Sequence, residues 1–447
     1  MTITRANILL CLSVAFAACG DDSAPEPGAE GTGGSTSSAA STSGATEAAD
    51  SSSGDGAEES SGTAGSTGAG LDCDGRPTER PSVRSELEGV WDTDGGRMIM
   101  FGGDQGMPVM CSSQTDFVAE TWAFHPDCDN FELLDAGGGP SPRGRHAVAL
   151  DPVGGRMLVH GGRWRAGTSG TYTVHDDTWA FDMATQTWEA LASGPSPRSN
   201  HTAVVANNQL LIYGGNASDD GLVFSPLGDL WSLDLESGAW TELSTKAAPA
   251  ARLFHAATVS DDGSTMFVYA GGGANAFTGP FFPELNALDL QTGEWSVLHD
   301  GSGTAPVRSI WGDLLFDAPN GRLILWGAHE DNLLGNNNKL WAFDLGANAW
   351  SLLAEGDVLN NMAAGFCDFP VDFVVHDADA PERRNAGAAV ITGDDELLVF
   401  GGKTDCGVVD DVWSWPLSGG PWDNRVRATL GEICVRAFAE GCESMCI

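Results

Sequence analysis

Residues 194–205 read GPSPRSNHTAVV, and residues 139–150 read GPSPRGRHAVAL. A chain that writes one dozen letters twice, about 55 residues apart, is built from a repeated supersecondary unit. Extending the comparison outward finds six copies. Each opens on a proline and an arginine: Pro81/Arg84, Pro140/Arg143, Pro195/Arg198, Pro249/Arg252, Pro306/Arg308 and Pro381/Arg384. The fifth copy has one residue fewer between the two. An alternating apolar run follows, then a turn such as DPVGG or DDGS. A second apolar run then closes on glycine, as in GRMIMFGG, GRMLVHGG, NQLLIYGG, TMFVYAGG, GRLILWGA and ELLVFGG.

After a loop of variable length come two further runs. Their anchors are Phe124/Phe131, Phe181/Trp188, Leu233/Trp240, Leu288/Trp295, Phe343/Trp350 and Trp415/Trp422. Each copy therefore predicts four short antiparallel strands. Such a sheet cannot bury both its faces alone, and wrapping the copies about an axis supplies neighbours while leaving few edges. The expected fold is all-β, a six-bladed propeller of four-stranded antiparallel blades.

The period, the R-x-x-H at Arg143/His146, Arg198/His201 and Arg252/His255, the glycine pair and the late tryptophan together resemble kelch repeats of the galactose oxidase/kelch-like superfamily. The resemblance covers about residues 81–425. Departures fall at Gly327-Ala328, at Ala287 where four other copies carry Trp, and at Trp311 where three carry His.

The ends of the chain read differently. Arg5 and the apolar ANILLCLSVAFAA form a secretory signal over residues 1–18, too short to span a bilayer comfortably. Phe16-Ala17-Ala18-Cys19 resembles a bacterial lipobox, which implies lipidation at Cys19 of a bacterial lipoprotein. Gly20 beside it implies the outer membrane or cell surface. Residues 19–70 are Ser, Thr, Gly, Ala and acid with no Lys or Arg, a disordered tether with a reach of about 40 Å. The propeller is expected over 71–425. Residues 426–447 form a Cys-rich C-terminal cap with a short helical pattern.

Acidic residues outnumber basic ones 62 to 22, for a formal charge of −40. A polyanionic partner needs Lys and Arg to displace its counterions, so nucleic acid is excluded and membrane contact is left to the lipid anchor. A monomer is expected. Beyond Cys11 and Cys19, eight cysteines remain: Cys73, Cys111, Cys128, Cys367, Cys406, Cys434, Cys442 and Cys446. An even number in an exported chain reads as disulfides. Cys111–Cys128 and Cys367–Cys406 are local enough to pair. A bond from Cys73 to the C-terminal group would instead clamp the two ends together.

In an antiparallel blade the 1–2 and 3–4 turns leave one face, while the 2–3 loops and blade-to-blade connections leave the other. The second set holds the length variation: 104–120, 163–177, 216–229, 273–284, 328–339, 403–410 and the inter-blade insert 355–381. Irregular loops collected on a rigid scaffold are where binding residues concentrate. The six arginines Arg84, Arg143, Arg198, Arg252, Arg308 and Arg384 belong to that face. They read either as a guanidinium ring for an anionic ligand or as pairs with acids and carbonyls of neighbouring blades. His146, His201 and His255 read as core-edge histidines. Trp164, Tyr172 and Phe277 are candidate contact aromatics.

No cofactor is expected. His175-Asp176-Asp177, Asp219-Asp220 and His329-Glu330-Asp331 carry oxygen ligands suited to Ca²⁺ but lack EF-hand spacing. Asp368, Asp372 and His376 resemble the E-x3-D-x3-H iron motif of plant specifier proteins, with a different first residue and an interrupting Pro370.

Three functions fit. The first is a lipid-anchored extracytoplasmic binding module for a glycan or a surface protein. The second is a sugar mutarotase resembling the kelch sialic-acid epimerases. The third is a copper radical oxidase similar to galactose oxidase, for which the chain offers only Tyr172, Tyr213 and Tyr269 and no Tyr-His pair. Neither G-x-S-x-G nor H-E-x-x-H occurs, which removes the usual hydrolase signatures.

Overall fold

The anchor residues pair across strands, as their spacing requires. Phe124 faces Phe131, Phe181 faces Trp188, Leu233 faces Trp240, Leu288 faces Trp295 and Phe343 faces Trp350 in antiparallel register. A computed structural model of the chain describes residues 73, 79–106, 108–109, 112–113, 115–167, 169–275, 279–330, 334–360, 374–404, 407–429, 434–436 and 444–446. The secretory signal, Cys19 and the tether lie outside the described residues, as do Cys111, Cys367, Cys406, Cys442 and Phe277.

Six antiparallel sheets follow one another along the chain. Their innermost strands are Glu88–Asp92, Ala147–Asp151, Thr202–Ala206, Ala256–Val259, Asp313–Asp317 and Ala388–Ile391. Each neighbours the next, and the first neighbours the sixth, so the ring closes around a central axis. Four strands of every blade come from contiguous sequence, and no blade is shared between the chain ends. Closure rests instead on contacts between blades one and six. Arg80 pairs with Asp410 at 3.0 Å, Arg425 pairs with Asp129 at 2.8 Å, and the Arg80 guanidinium donates to the Arg427 carbonyl.

Packing repeats with the sequence. The aromatic residue on each outermost strand, or just before it, lies on a residue at or beyond the middle of the preceding blade's second strand. The pairs are Trp188 on Phe101, Trp240 on His160, Trp295 on Tyr213, Trp350 on Tyr269, Trp422 on Trp326 and, across the closure, Phe131 on Phe400. Ring centroids in these pairs are 4.6 to 5.5 Å apart, the range of favourable edge and tilted contacts. The core is thus six interlayers, each between two blades, as in the group Val90, Phe101, Val148, Val159 and Phe181.

The glycine pair is a steric necessity. Gly161 has φ +62, and a Cβ there would lie 2.6 Å from the carbonyl oxygen of Arg198 and 2.8 Å from Cε1 of His201, both in the next blade. Only a residue without a side chain lets the two blades approach this closely.

Register corrects three readings of the fifth and fourth copies. The glycine-pair contacts place Ser309, not Arg308, in the arginine slot: the Gly271 N–H donates to the Ser309 carbonyl where Gly215 uses that of Arg252. Pro306 to Ser309 keeps the spacing of Pro195 to Arg198, so no residue is missing; Arg308 stands one place before the slot and is exposed. Gly312 stands where three copies carry His, and Trp311 stands one place earlier. In the fourth blade Asn286, not Ala287, takes the tryptophan position. Asn286 faces Val268 as Trp231 faces Ile212 and Trp413 faces Val399, so five copies carry Trp there.

Two cysteine expectations also change. Cys73 is bonded to Cys128, which removes the Cys111–Cys128 pairing and the Cys73 clamp to the C-terminus. The 3–4 turn of the first blade brings Cys128 to the incoming segment. In place of a helical C-terminal pattern, Cys434–Arg436 pairs with Ser444–Cys446 as a two-stranded ribbon. Among the described residues no helix is long and apolar enough to cross a membrane.

Candidate ligand-binding face

Five of the six predicted arginines are locked inside the scaffold. Arg84, Arg143, Arg198, Arg252 and Arg384 are each at most 2 % exposed. Each donates to the carbonyl that ends its own blade's second-strand run: Gly102, Gly161, Gly214, Ala270 and Gly401. Four also pair with an acid of their third strand or just before it: Glu120 at 2.8 Å, Asp177 at 2.9 Å, Asp229 at 2.9 Å and Asp411 at 2.9 Å. The same acid accepts from the indole two residues on, at Trp122, Trp179, Trp231 and Trp413. Arg252 stands 4.0 Å from Glu284 and lies over the Phe282 ring. Burial pushes the Asp177 carboxyl up, but the bonds and charge of Arg143 outweigh it and hold the group down at about 2. These guanidinium groups join loop to strand; the fifth blade, with Ser309 and Lys339 in the two positions, lacks the latch.

The histidines are core-edge groups. His146 packs against Phe101, His201 against His160 and His255 against Tyr213. Burial, then nearby arginines, depress His146 and His255 to about 3, and burial, then His160 and Arg198, hold His201 well below the usual range. They are neutral at physiological pH.

What surrounds the axis is a different set, which the repeat alignment passed over. The residue just before each histidine position has positive φ: Glu86 57°, Arg145 57°, Asn200 58°, Phe254 57°, Trp311 57° and Ala386 52°. For non-glycine residues this costs about 1–2 kcal/mol each. The strain is offset by backbone hydrogen bonds from one blade to the next, Arg145 to Glu86, Asn200 to Arg145, Phe254 to Asn200, Trp311 to Phe254 and Glu86 to Ala386. The motif is thereby a ring whose chemistry differs at every position. The sequence signal was present, as the most variable letter inside an otherwise repeated R-x-x-H.

Inside the ring lies a small hollow of about 60 Å³. Glu86, Arg145, His146, His201, Trp311 and Asp313 line it, with Glu88 beside them. Glu88 and Asp313 open the innermost strands of blades one and five, where other blades place Ala or Thr. Burial raises the Glu88 carboxyl to about 7 despite a bond from the Val148 N–H. Asp313 is raised well above its ordinary value by burial and then by Glu88.

The long loops stand around this mouth, because every second strand ends, and every third begins, at the end where the ring sits. They interlock. Phe117 meets Tyr172 at 6.3 Å, and Arg163 and Arg165 lie 3.9 and 4.5 Å from the Tyr172 ring. Phe224 packs on Phe254 at 5.6 Å, and the Asn336 amide donates to the Lys403 carbonyl. Tyr172 is buried under its own loops, whereas Trp164 is half-exposed on a short ribbon opposite Thr173. Leu222 and Val223 project from the third loop, 51 % and 65 % exposed. Asp177 is spent on Arg143, and Asp220 accepts from Ser218 and the Leu222 N–H. His376 bonds Asp357, while Asp368, Asp372 and Asp331 lie outside the described residues. Tyr213 and Tyr269 are buried in second strands. Among the described residues no three His, Cys, Asp or Glu side chains come together to hold a metal ion.

Six four-stranded sheets about an axis define a six-bladed β-propeller, and parts of the chain are similar to kelch-repeat domains. Comparison with known families agrees: the KLHDC2/KLHL20/DRC7 kelch-repeats domain matches residues 72–271, and the Attractin/LZTR1 β-propeller matches residues 194–363. Similar proteins include Kelch domain-containing protein 2 of Bos taurus, 30% identical over 225 residues, 46% of this chain and 51% of the relative. Kelch domain-containing protein 10 of Xenopus tropicalis is 36% identical over 139 residues, 30% and 31% of the two chains. The Leucine-zipper-like transcriptional regulator 1 homolog of Drosophila melanogaster is 26% identical over 256 residues, 56% and 23%. The chain spans about half the length of the first of these and less of the others.

Proposed function

We propose that this protein is an interaction module that binds a protein, or a glycan on a surface, through the loop-bearing face of its propeller. The observation that carries the reading is the gathering of every long loop around a ring of six unlike side chains at one end of a rigid scaffold. The likeness to kelch-domain proteins supports a protein ligand over a glycan. The Cys73–Cys128 bond supports an oxidising compartment, in keeping with export and lipidation at Cys19 on a flexible tether. The half-exposed Trp164 and the apolar Leu222 and Val223 supply the dry contacts that anchor such interfaces.

The test is a binding screen of the full chain against displayed peptides and arrayed glycans, repeated with Leu222→Asp on the loop face and Val153→Asp on a 1–2 turn at the other end. Ligands lost to the first change and indifferent to the second support the reading. The reverse pattern overturns it. Catalysed mutarotation of a free sugar, abolished by Glu88→Gln, would replace binding by catalysis.

A further inference from the structure

We propose that the hollow at the axis is a seat for an organic cation, the ammonium or guanidinium head of a lysine or arginine carried by the partner. This deepens the loop-face reading and rests on it.

The rim already holds such a group. Glu86 of blade one and the paired rings of Phe254 and Trp311, 4.2 Å apart in blades four and five, face each other across the mouth. The Arg145 guanidinium bridges them. It bonds Glu86 at 2.7 Å and lies 5.4 and 4.9 Å from the Phe254 and Trp311 ring centroids. A carboxylate on one side and aromatic faces on the other is the environment in which a cation is stabilised after losing water. Burial pushes the Glu86 carboxyl up, but Arg145 and Arg163 outweigh that, and it stays ionised.

Beneath the rim stand two acids that burial holds toward their protonated forms. Glu88 and Asp313 face the axis, and neither has an ion-pair partner among the described residues. His201 lines the same hollow, 3 % exposed, with neither ring nitrogen hydrogen-bonded. A neutral imidazole can accept from an ammonium, and a cation placed beside two buried carboxyls favours their ionised forms. Trp311 in the wall offers an apolar surface to the aliphatic stem behind such a tip. The chain's charge of −40 attracts basic segments from a distance.

The experiment titrates the full chain with Nα-acetyl-lysine amide, with the same molecule acetylated at Nε, and with Nα-acetyl-glutamate amide. The charged lysine is expected to saturate at least about tenfold more tightly than its neutral twin, and the glutamate not at all. Replacing Glu88→Gln together with Asp313→Asn should erase that preference while leaving the circular dichroism of the sheets unchanged. Affinity for lysine should rise as pH climbs through about 7, as Glu88 ionises, because His146, His201 and His255 stay neutral there. Equal binding of the charged and neutral forms, or a preference that survives the double substitution, overturns the proposal. Should a loop-face ligand depend on Leu222 yet ignore the double substitution, the loop-face reading survives and the cation seat falls. Arg145→Ala, which removes the resident guanidinium, should tighten lysine binding; weaker binding in a folded variant counts against the seat.

Discussion

An arginine can be structural in five copies of a repeat and absent from its slot in the sixth, where Ser309 takes the position and Arg308 beside it is exposed. Arg198 is fully buried and spends its donors on Asp229 and the Gly214 carbonyl. Removing one partner of a buried pair leaves the other charge uncompensated. Arg198→Ala is therefore expected to cost about 3 kcal/mol or more, while the exposed Arg308→Ala should fall within about 0.5 kcal/mol of the parent. Chemical denaturation of both variants measures the contrast. Glu88 allows a second residue-scale prediction. Its folded-state pKa lies above the ordinary 4.5, at about 7, so the native state keeps a proton that the unfolded chain releases. Its contribution to stability is present below about 4.5 and is lost as pH rises through about 7. The difference in denaturation midpoint between Glu88→Gln and the parent should grow over that window in favour of the variant.

At the scale of the element, the glycine pair decides how blades meet. Gly161 and Gly155 have nearly equal φ, +62 and +61, but a Cβ at Gly161 strikes the next blade, whereas at Gly155 nothing lies within 4 Å. Gly155→Ala should cost about 1 kcal/mol, the backbone term alone, and Gly161→Ala about 3 kcal/mol or more. Thermal melts of the two variants separate strain from collision. The same elements show what pattern reading can resolve. The alternation, turns and anchor spacing placed the four strands of each blade because side-chain period and turn chemistry are local. The one-residue slips at Arg308, Trp311 and Ala287 were not resolved, because register is fixed by hydrogen bonds to the adjacent strand and blade.

Across the whole molecule, stability is shared among six interlayers, and the seam between blades one and six is the one the chain does not bridge covalently in sequence. Cys73–Cys128 ties the entering segment to the first blade across 55 residues. On a chain-entropy account Cys73→Ser should lower stability by about 4 kcal/mol, read as a fall in denaturant midpoint that reductant reproduces in the parent.

By itself the sequence determined the six-fold β architecture, the strand order within blades and the end at which the long loops collect, since repetition, alternation and antiparallel connectivity are all properties of neighbouring residues. It also exposed the arginine repeat without saying what the arginines touch. Only the tertiary structure decided that they are sealed into acid–indole latches, that Cys73 chooses Cys128, and that Glu86, Glu88, Arg145, Trp311 and Asp313 share one hollow. Those residues come from blades one, two and five, more than 200 positions apart at the extremes, and nothing short of closing the ring brings them together.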